Sequence, residues 1–363
     1  MDLPLCDNYL SIVLERRPLI DVRAPMEFAK GAFPGAVNLP LMSDRERHLV
    51  GITYKEEGNE AAVALGHELV SGEVKEDRVR MWCDFLKKHS EALLYCFRGG
   101  QRSQIAQRWI YEAGCEVVRI EGGYKAFRRF LIDESDRSVE RFEPIVLGGR
   151  TGSGKTLLLH TLDNSVDLEH LANHRGSSFG RKISPQPTQI AFENALAYEL
   201  IEKSRGHYRH LIFEDEGKNV GRLYLPDRLS GSLAEAPLVI LETPLEERVE
   251  ITFEEYVLQA QNLYAEAGFD NPMEKWFEDM LLAVDRIRRR LGGERHMRVR
   301  QMIAKAYGTQ QKSGETESHK IWIAYLLKEY YDPMYDYQIE KRFDRIMFRG
   351  NEEAVKAFLA DRR

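Results

Sequence analysis

The stretch that most limits what this chain can fold into is PIVLGGRTGSGKTLLLHTL, from Pro144 to Leu162. An apolar run enters G-x-x-x-x-G-K-T, Gly149 to Thr156, and leucines follow at helical spacing. Strand, glycine loop and helix in that order build a phosphate cradle at the carboxyl end of a buried parallel strand, which dictates an α/β unit. Gly149, Arg150, Thr151, Gly152, Ser153 and Gly154 let backbone N–H groups face phosphate oxygens. Lys155 supplies a point charge, and the Thr156 hydroxyl can hold Mg²⁺. Downstream, RHLIFEDEG ends an apolar strand in Glu214, Asp215 and Glu216. One of these carboxylates, with Glu214 and Asp215 the first candidates, is the expected partner of Mg²⁺. APLVILETP reads as a further buried strand, with Glu246, Glu247 and Arg248 after it as candidates to approach the phosphate site. From about residue 254 the pattern is helical to the end.

A second loop lies earlier, in YCFRGGQRSQ, residues 95–104. ALLY before it reads as a short buried strand, and QRSQIAQRWIYEAG has helical spacing with Ile105, Trp109 and Ile110 on one face. Cys96 therefore falls on a strand-to-helix loop, where N–H groups converge at a helix N-terminus. Arg98, Gly99, Gly100, Arg102 and Ser103 complete a loop suited to an anion, with Cys96 as the catalytic candidate. Around it, RPLIDVR, ALLY and EVVRI alternate with helical patterns, including 58–72, 76–89 and a last helix from GGYKAFRRFL. That alternation implies a parallel sheet covered on both faces. Asp21 in LIDVR is expected to be structural. The chain thus divides into an α/β unit over 1–135, a charged linker at 136–143, a P-loop unit over 144–285 and a basic helical region over 286–363.

Charge is distributed unevenly. The net charge is −6, yet residues 286–363 carry 18 Lys/Arg against 11 Asp/Glu, a net of +7 that leaves −13 for residues 1–285. The densest part holds Arg286, Arg288, Arg289, Arg290, Arg295, Arg298 and Arg300 against one glutamate. Such a strip is either a solvated helix face or a phosphate-binding surface for nucleic acid. The loop HRGSSFGRK, 174–182, is either a second anion-binding loop or a plain surface loop. The four cysteines, Cys6, Cys83, Cys96 and Cys115, form no C-x-x-C pair, so neither a zinc site nor a disulfide framework is indicated. No apolar run reaches the ~20 residues of a membrane span, and MDLPLCDNYL lacks the pattern of a secretory signal. A cytoplasmic setting without a membrane partner is expected.

LIDVR, the segment from Glu27 to Pro40 ending in GAFPGAVNLP, the Cys96 loop and EGGYKAF resemble a rhodanese domain over roughly residues 5–132. Five residues separate Cys96 from Arg102, a roomier loop than that of simple sulfurtransferases and one sized for a tetrahedral oxyanion. YCFRGGQRS, GGRTGSGKT, HRGSSFG, QPTQIAFEN, FEDEGKNVGRLYLP and LETPLEERV together resemble the tRNA 2-selenouridine synthase family along nearly the whole chain. That resemblance implies replacement of sulfur by selenium at the wobble 2-thiouridine of tRNA. It implies selenophosphate as donor, geranyl diphosphate as a second substrate and a selenophosphate supply enzyme as a further partner. On this reading Cys96 and its loop handle selenium, and the P-loop with Mg²⁺ handles diphosphate. Two other readings stay open on the residues: a C-x5-R phosphatase or arsenate reductase fused to a kinase-like unit, and a nucleotide switch with a silent scaffold.

Overall fold

The computed structural model describes residues 3–177, 179–180 and 182–362. The chain forms two compact units: Met1–Ser138 with Thr188–Arg205, and Val139–Pro187 with Gly206–Arg363.

In the first unit the strands are β1 (Leu5–Cys6), β2 (Leu19–Asp21), β3 (Ala36–Asn38), β4 (Leu93–Tyr95) and β5 (Val118–Ile120). They form one parallel sheet in the order β1-β5-β4-β2-β3. Period-two alternation sends neighbouring residues to opposite faces. Leu94 and Cys96 join the cluster with Trp82 and Trp109, whereas Leu93 and Tyr95 join the one with Phe127 and Leu131. Both faces are thereby covered, as a parallel sheet requires. Helices at 59–69 and 72–88 meet the expectation. The helix Asp44–Glu56 does not announce itself by periodicity; it is set by a capping box in which Ser43 and Glu46 bond each other's backbone N–H.

Two boundaries differ from the expected ones. The last helix of the first block, Gly123–Ser138, runs three residues into the expected linker at 136–143, and β6 begins at Glu143, its last residue. Its charges do not keep it in solvent: Glu134 is buried and held by Arg137 and Arg205. Residues 188–205, expected inside the P-loop unit at 144–285, belong to the first unit. Thr188 caps the helix Gln189–Lys203, whose Ala197, Tyr198 and Ile201 share a core with Ile12 and Phe127.

The second unit is built on β6 (Glu143–Gly148), β7 (Ser165–Val166), β8 (His210–Glu214), the small antiparallel pair β9 (Asn219–Val220) and β10 (Leu223–Tyr224), β11 (Leu238–Leu241) and β12 (Ile346–Gly350). Its main sheet is parallel, in the order β12-β11-β6-β8-β7. The region from 254 onward is therefore not wholly helical, because β12 returns to the sheet edge beside β11. As an edge strand it carries the half-buried alternation of IMFRG rather than an apolar run, which hides it among helices. The helical remainder packs around Trp276, Val284, Val299, Ile303 and Trp322.

Candidate active site

In the first unit, β4 delivers Cys96 directly into the loop, and Gly100 caps the helix Gln101–Glu112. The loop is held by backbone: Tyr124 N–H donates to the Cys96 carbonyl at 2.9 Å and Lys125 N–H to that of Phe97 at 2.9 Å. Gly123 has φ +60°, and a Cβ there would collide with the Cys96 carbonyl oxygen and the Gly99 nitrogen. The EGG turn must therefore be glycine for the loop to close. Among the described residues, the N–H groups of Phe97 through Ser103 donate to no protein acceptor. A run of unpaired donors leading into a helix N-terminus is suited to hold an anion. The Cys96 thiol is buried, donating to Ser103 Oγ at 3.1 Å, while Ser103 donates to the Gly100 carbonyl at 3.0 Å.

The loop arginines divide. Arg98 is exposed, its guanidinium over the Phe97 ring. Arg102 forms an ion pair with Glu27 at 2.5 Å, so its charge is shared with a carboxylate that Arg47 also approaches. A cation unforeseen in the sequence lies behind the loop. Arg119, on β5, is buried and bonds the Gly99 carbonyl and, at 3.2 Å, Gln107 Oε1. Burial lowers its pKa and the charge of Cys96 raises it. The one signal in the sequence is an arginine inside the apolar strand EVVRI. Asp21 is fully buried against Arg23, a structural pair as expected. Burial and contact with Cys115 push the Cys83 thiol up to about 12.

In the second unit the loop Gly149–Thr156 leads from β6 to the helix Lys155–Leu159. Gly152, at φ +76°, leaves no room for a Cβ against Thr252 Oγ1 and the Arg248 carbonyl. Lys155 Nζ folds onto the loop, donating to the Gly149 carbonyl at 2.9 Å. Among the described residues, the buried Ser153 Oγ has no hydrogen-bond partner. Arg150 pairs with Asp336 at 2.6 Å. Arg248 is buried, grips Asp332 through both terminal nitrogens and donates to the Thr151 carbonyl at 3.3 Å, bracing the loop.

The acidic residues near this loop are placed differently from one another. Asp215 is held bidentately by Arg342 at 2.6 Å. Glu214 is buried, accepts from Leu168 N–H at 2.8 Å, and is pushed well above the usual carboxylate range by burial and by Asp167. Glu169 and Glu216, by contrast, converge on Gly176 of the 174–182 loop. Burial and the Glu169 carboxylate push Glu216 up to about 9. Thr151 to Thr156, Glu169, Glu216, Arg175 and Lys182 line one cavity of about 180 Å³. Ser178 and Arg181 of that loop lie outside the described residues.

The donor chemistry suits Mg²⁺. The Thr156 hydroxyl, the Ser153 Oγ and the crowded Glu169–Glu216 pair are hard oxygens, and a divalent cation would offset the burial and the Glu169 charge that raise the Glu216 pKa. Among the described residues no three or more His, Cys, Asp or Glu converge as a metal cage. Phosphate oxygens and water would complete the shell, as is usual for this ion.

The arginine strip is broken at Gly292 between the helices Pro272–Leu291 and Gly293–Ser313. Arg300 pairs with Asp285 at 2.6 Å and Arg295 with Glu329 at 3.6 Å, Arg298 stacks over Tyr325, and Arg286 has a partner of its own. Arg288, Arg289 and Arg290 are exposed and form no ion pair among the described residues. Among the described residues no helix is long and apolar enough to cross a membrane.

A family model described as "tRNA 2-selenouridine synthase AAA domain" matches residues 142–363, and one described as "Rhodanese-like domain" matches residues 9–130. The chain is 61% identical over 362 residues to a tRNA 2-selenouridine synthase of Sulfurovum sp., covering 100% of both chains. It is 52% identical to the one of Hydrogenovibrio crunogenus, covering 98% of this chain and 99% of the relative. With the one of Marinobacter nauticus it shares 47% identity, covering 99% and 98%. A rhodanese-like domain followed by a P-loop α/β domain, aligned end to end with such relatives, places this chain in the tRNA 2-selenouridine synthase family of tRNA-modifying enzymes.

Proposed function

We propose that this chain converts the wobble 2-thiouridine of tRNA to 2-selenouridine in two steps, each served by one unit. The observation that carries this reading is the Cys96 loop, where a buried thiol precedes a run of residues whose N–H groups, among the described residues, meet no protein acceptor. A tetrahedral oxyanion bearing a soft atom, selenophosphate, matches both features.

In the first step the sulfur of 2-thiouridine attacks C1 of geranyl diphosphate. The C–O bond to diphosphate breaks, diphosphate leaves, and the uridine loses its N3 proton. Lys155 and the N–H groups of Gly149 to Thr156 stabilise the departing charge. Thr156 and the neighbouring carboxylates would hold Mg²⁺, which would supply positive charge to the diphosphate oxygens. In the second step selenium from selenophosphate adds to C2, and the C2–S bond breaks with departure of geranyl thiol, which takes up a proton. Water cleaves the P–Se bond, releasing phosphate. Geranyl thiol leaves C2 far more readily than a thiocarbonyl sulfur does, which gives the geranyl step its purpose. Cys96 and Ser103 position the selenium atom while the loop N–H groups hold the phosphate part, with Arg98 and Arg102 at its margin. Arg288, Arg289 and Arg290 supply phosphate contacts to the tRNA. Supply of a labile selenophosphate is best met by direct delivery from the enzyme that makes it, in the cytoplasm.

Mass analysis of tRNA nucleosides after incubation with selenophosphate and geranyl diphosphate tests this reading. S-geranyl-2-thiouridine should appear first and 2-selenouridine at its expense. Release of phosphate from a generic aryl phosphate, with unmodified tRNA, would favour a C-x5-R phosphatase instead.

A further inference from the structure

Beside the Cys96 loop the first unit holds a cavity of about 580 Å³ that the two-step chemistry does not yet use. It lies between the helices Asp44–Glu56, Asn59–Leu69 and Gln101–Glu112. Its walls are mostly apolar, with Val50, Ala62, Val63, Val70, Ile105 and Trp109 among the lining residues and His48, Asn59 and His67 as polar ones. At its edge stand cations, Arg47, Lys55 and Arg102, and the last of these belongs to the anion loop itself. Glu27 ties Arg102 to Arg47, at 2.5 and 3.9 Å, so loop and cavity mouth share one set of charges.

The first turn of the third helix is what the two spaces share. Gln101, Arg102, Ile105 and Trp109 line the cavity from one face, and Ser103, which meets the Cys96 thiol at 3.1 Å, stands on another face of the same turn. From Gln101 to Trp109 the helix rises about 12 Å, the reach of an extended chain of eight to ten carbons. The volume falls within the range of small-molecule sites. In the second unit the apolar space next to Thr151, walled by Trp322 and Leu326, amounts to about 20 Å³, and a half-polar cavity of about 440 Å³ lies beside Arg150.

We infer that this cavity receives the ten-carbon prenyl chain of the S-geranyl-2-thiouridine intermediate, holding C2 of the uridine at the Cys96 loop while selenium is inserted. The inference rests on the thioether reading above and adds where the chain goes. An apolar cavity beside an anion loop recognises an apolar tail joined to a polar reacting centre. The bound tail orients the base, and the geranyl thiol departs into the cavity rather than back across the selenium nucleophile. The geranyl group becomes a handle for the second step as well as an activator.

Intrinsic fluorescence and kinetics of the full chain test this together. An oligonucleotide carrying S-geranyl-2-thiouridine should change Trp109 emission, and the S-methyl analogue should not; Trp109→Phe should remove the signal. Val50→Phe with Val63→Phe narrows the cavity and should raise KM about tenfold or more for selenation of pre-geranylated tRNA, from the loss of apolar contact. Geranylation of 2-thio-tRNA and use of S-methylated tRNA should stay unchanged, showing that the variant is folded. Binding of the geranyl oligonucleotide without any Trp109 response overturns the inference. So does loss of geranylation with selenation intact, which would mean that the cavity holds the diphosphate donor. A wild type that gives the Trp109 signal yet never selenates pre-geranylated tRNA would sink the thioether route while leaving the chain site standing.

Discussion

Glu216 is the residue at which burial and charge conflict most openly. It stands among Glu169, Lys155 and Asp215, and burial followed by the Glu169 charge raises its pKa from 4.5 to about 9. The native state therefore keeps a proton that the unfolded chain has already released. The resulting stabilisation is complete below the unfolded value and is lost as pH climbs through the native one. Thermal unfolding between about pH 5 and 9 should show the midpoint of the metal-free protein falling with pH, and Glu216→Gln should flatten that fall. Identical slopes for the two proteins would remove Glu216 from the account. Cys96 was legible in the sequence because its loop is local: strand, glycines, arginines and helix follow one another. Arg119 was not, because a strand residue becomes part of the Cys96 site only when β5 pairs with β4 and β1. For the same reason the sequence pointed to Glu214 and Asp215 beside the P-loop, whereas Glu169, from elsewhere in the chain, is the partner that meets Glu216.

Among the elements, the helix Pro272–Leu291 shows how one amphipathic segment divides its tasks. Trp276, Met280, Ala283, Val284, Ile287 and Leu291 are buried at three- and four-residue spacing, so the arginines at 288–290 are left on the exposed face. They also sit in the last turn, where carbonyl groups favour cations. That setting suits both a solvated face and a phosphate contact, and a salt titration separates them. Replacing Arg288, Arg289 and Arg290 by Ala should weaken tRNA binding and lower the log–log salt slope by roughly 2 to 3 units. An unchanged slope in a folded variant returns the strip to a solvated face. The P-loop and the two flanking strands β6 and β8 were readable because apolar runs flank their motifs. β12 was not, since IMFRG alternates weakly and follows a long helical stretch. The helix Gln189–Lys203 was misassigned by position alone: its sequence neighbours belong to the P-loop unit, but its apolar face belongs to Phe127 and Ile12.

At the scale of the whole molecule, two parallel α/β units each present an anion loop at the end of a central strand, β4 in one and β6 in the other. One loop holds a thiol and the other a lysine, a threonine and buried acids, so the two sets of side chains suit different chemistry. The central claim is that they divide one modification into geranyl transfer at the P-loop and selenium insertion at the Cys96 loop. The most direct measurement compares Lys155→Ala and Cys96→Ser on 2-thio-tRNA and on pre-geranylated tRNA, with nucleosides read by mass. Lys155→Ala should slow geranylation and make little selenouridine from 2-thio-tRNA, yet selenate pre-geranylated tRNA at the wild-type rate. Cys96→Ser should geranylate normally, accumulate the thioether and fail to selenate either substrate. Equal loss of geranylation in both variants, or normal selenation of 2-thio-tRNA by Lys155→Ala, would contradict the division of labour.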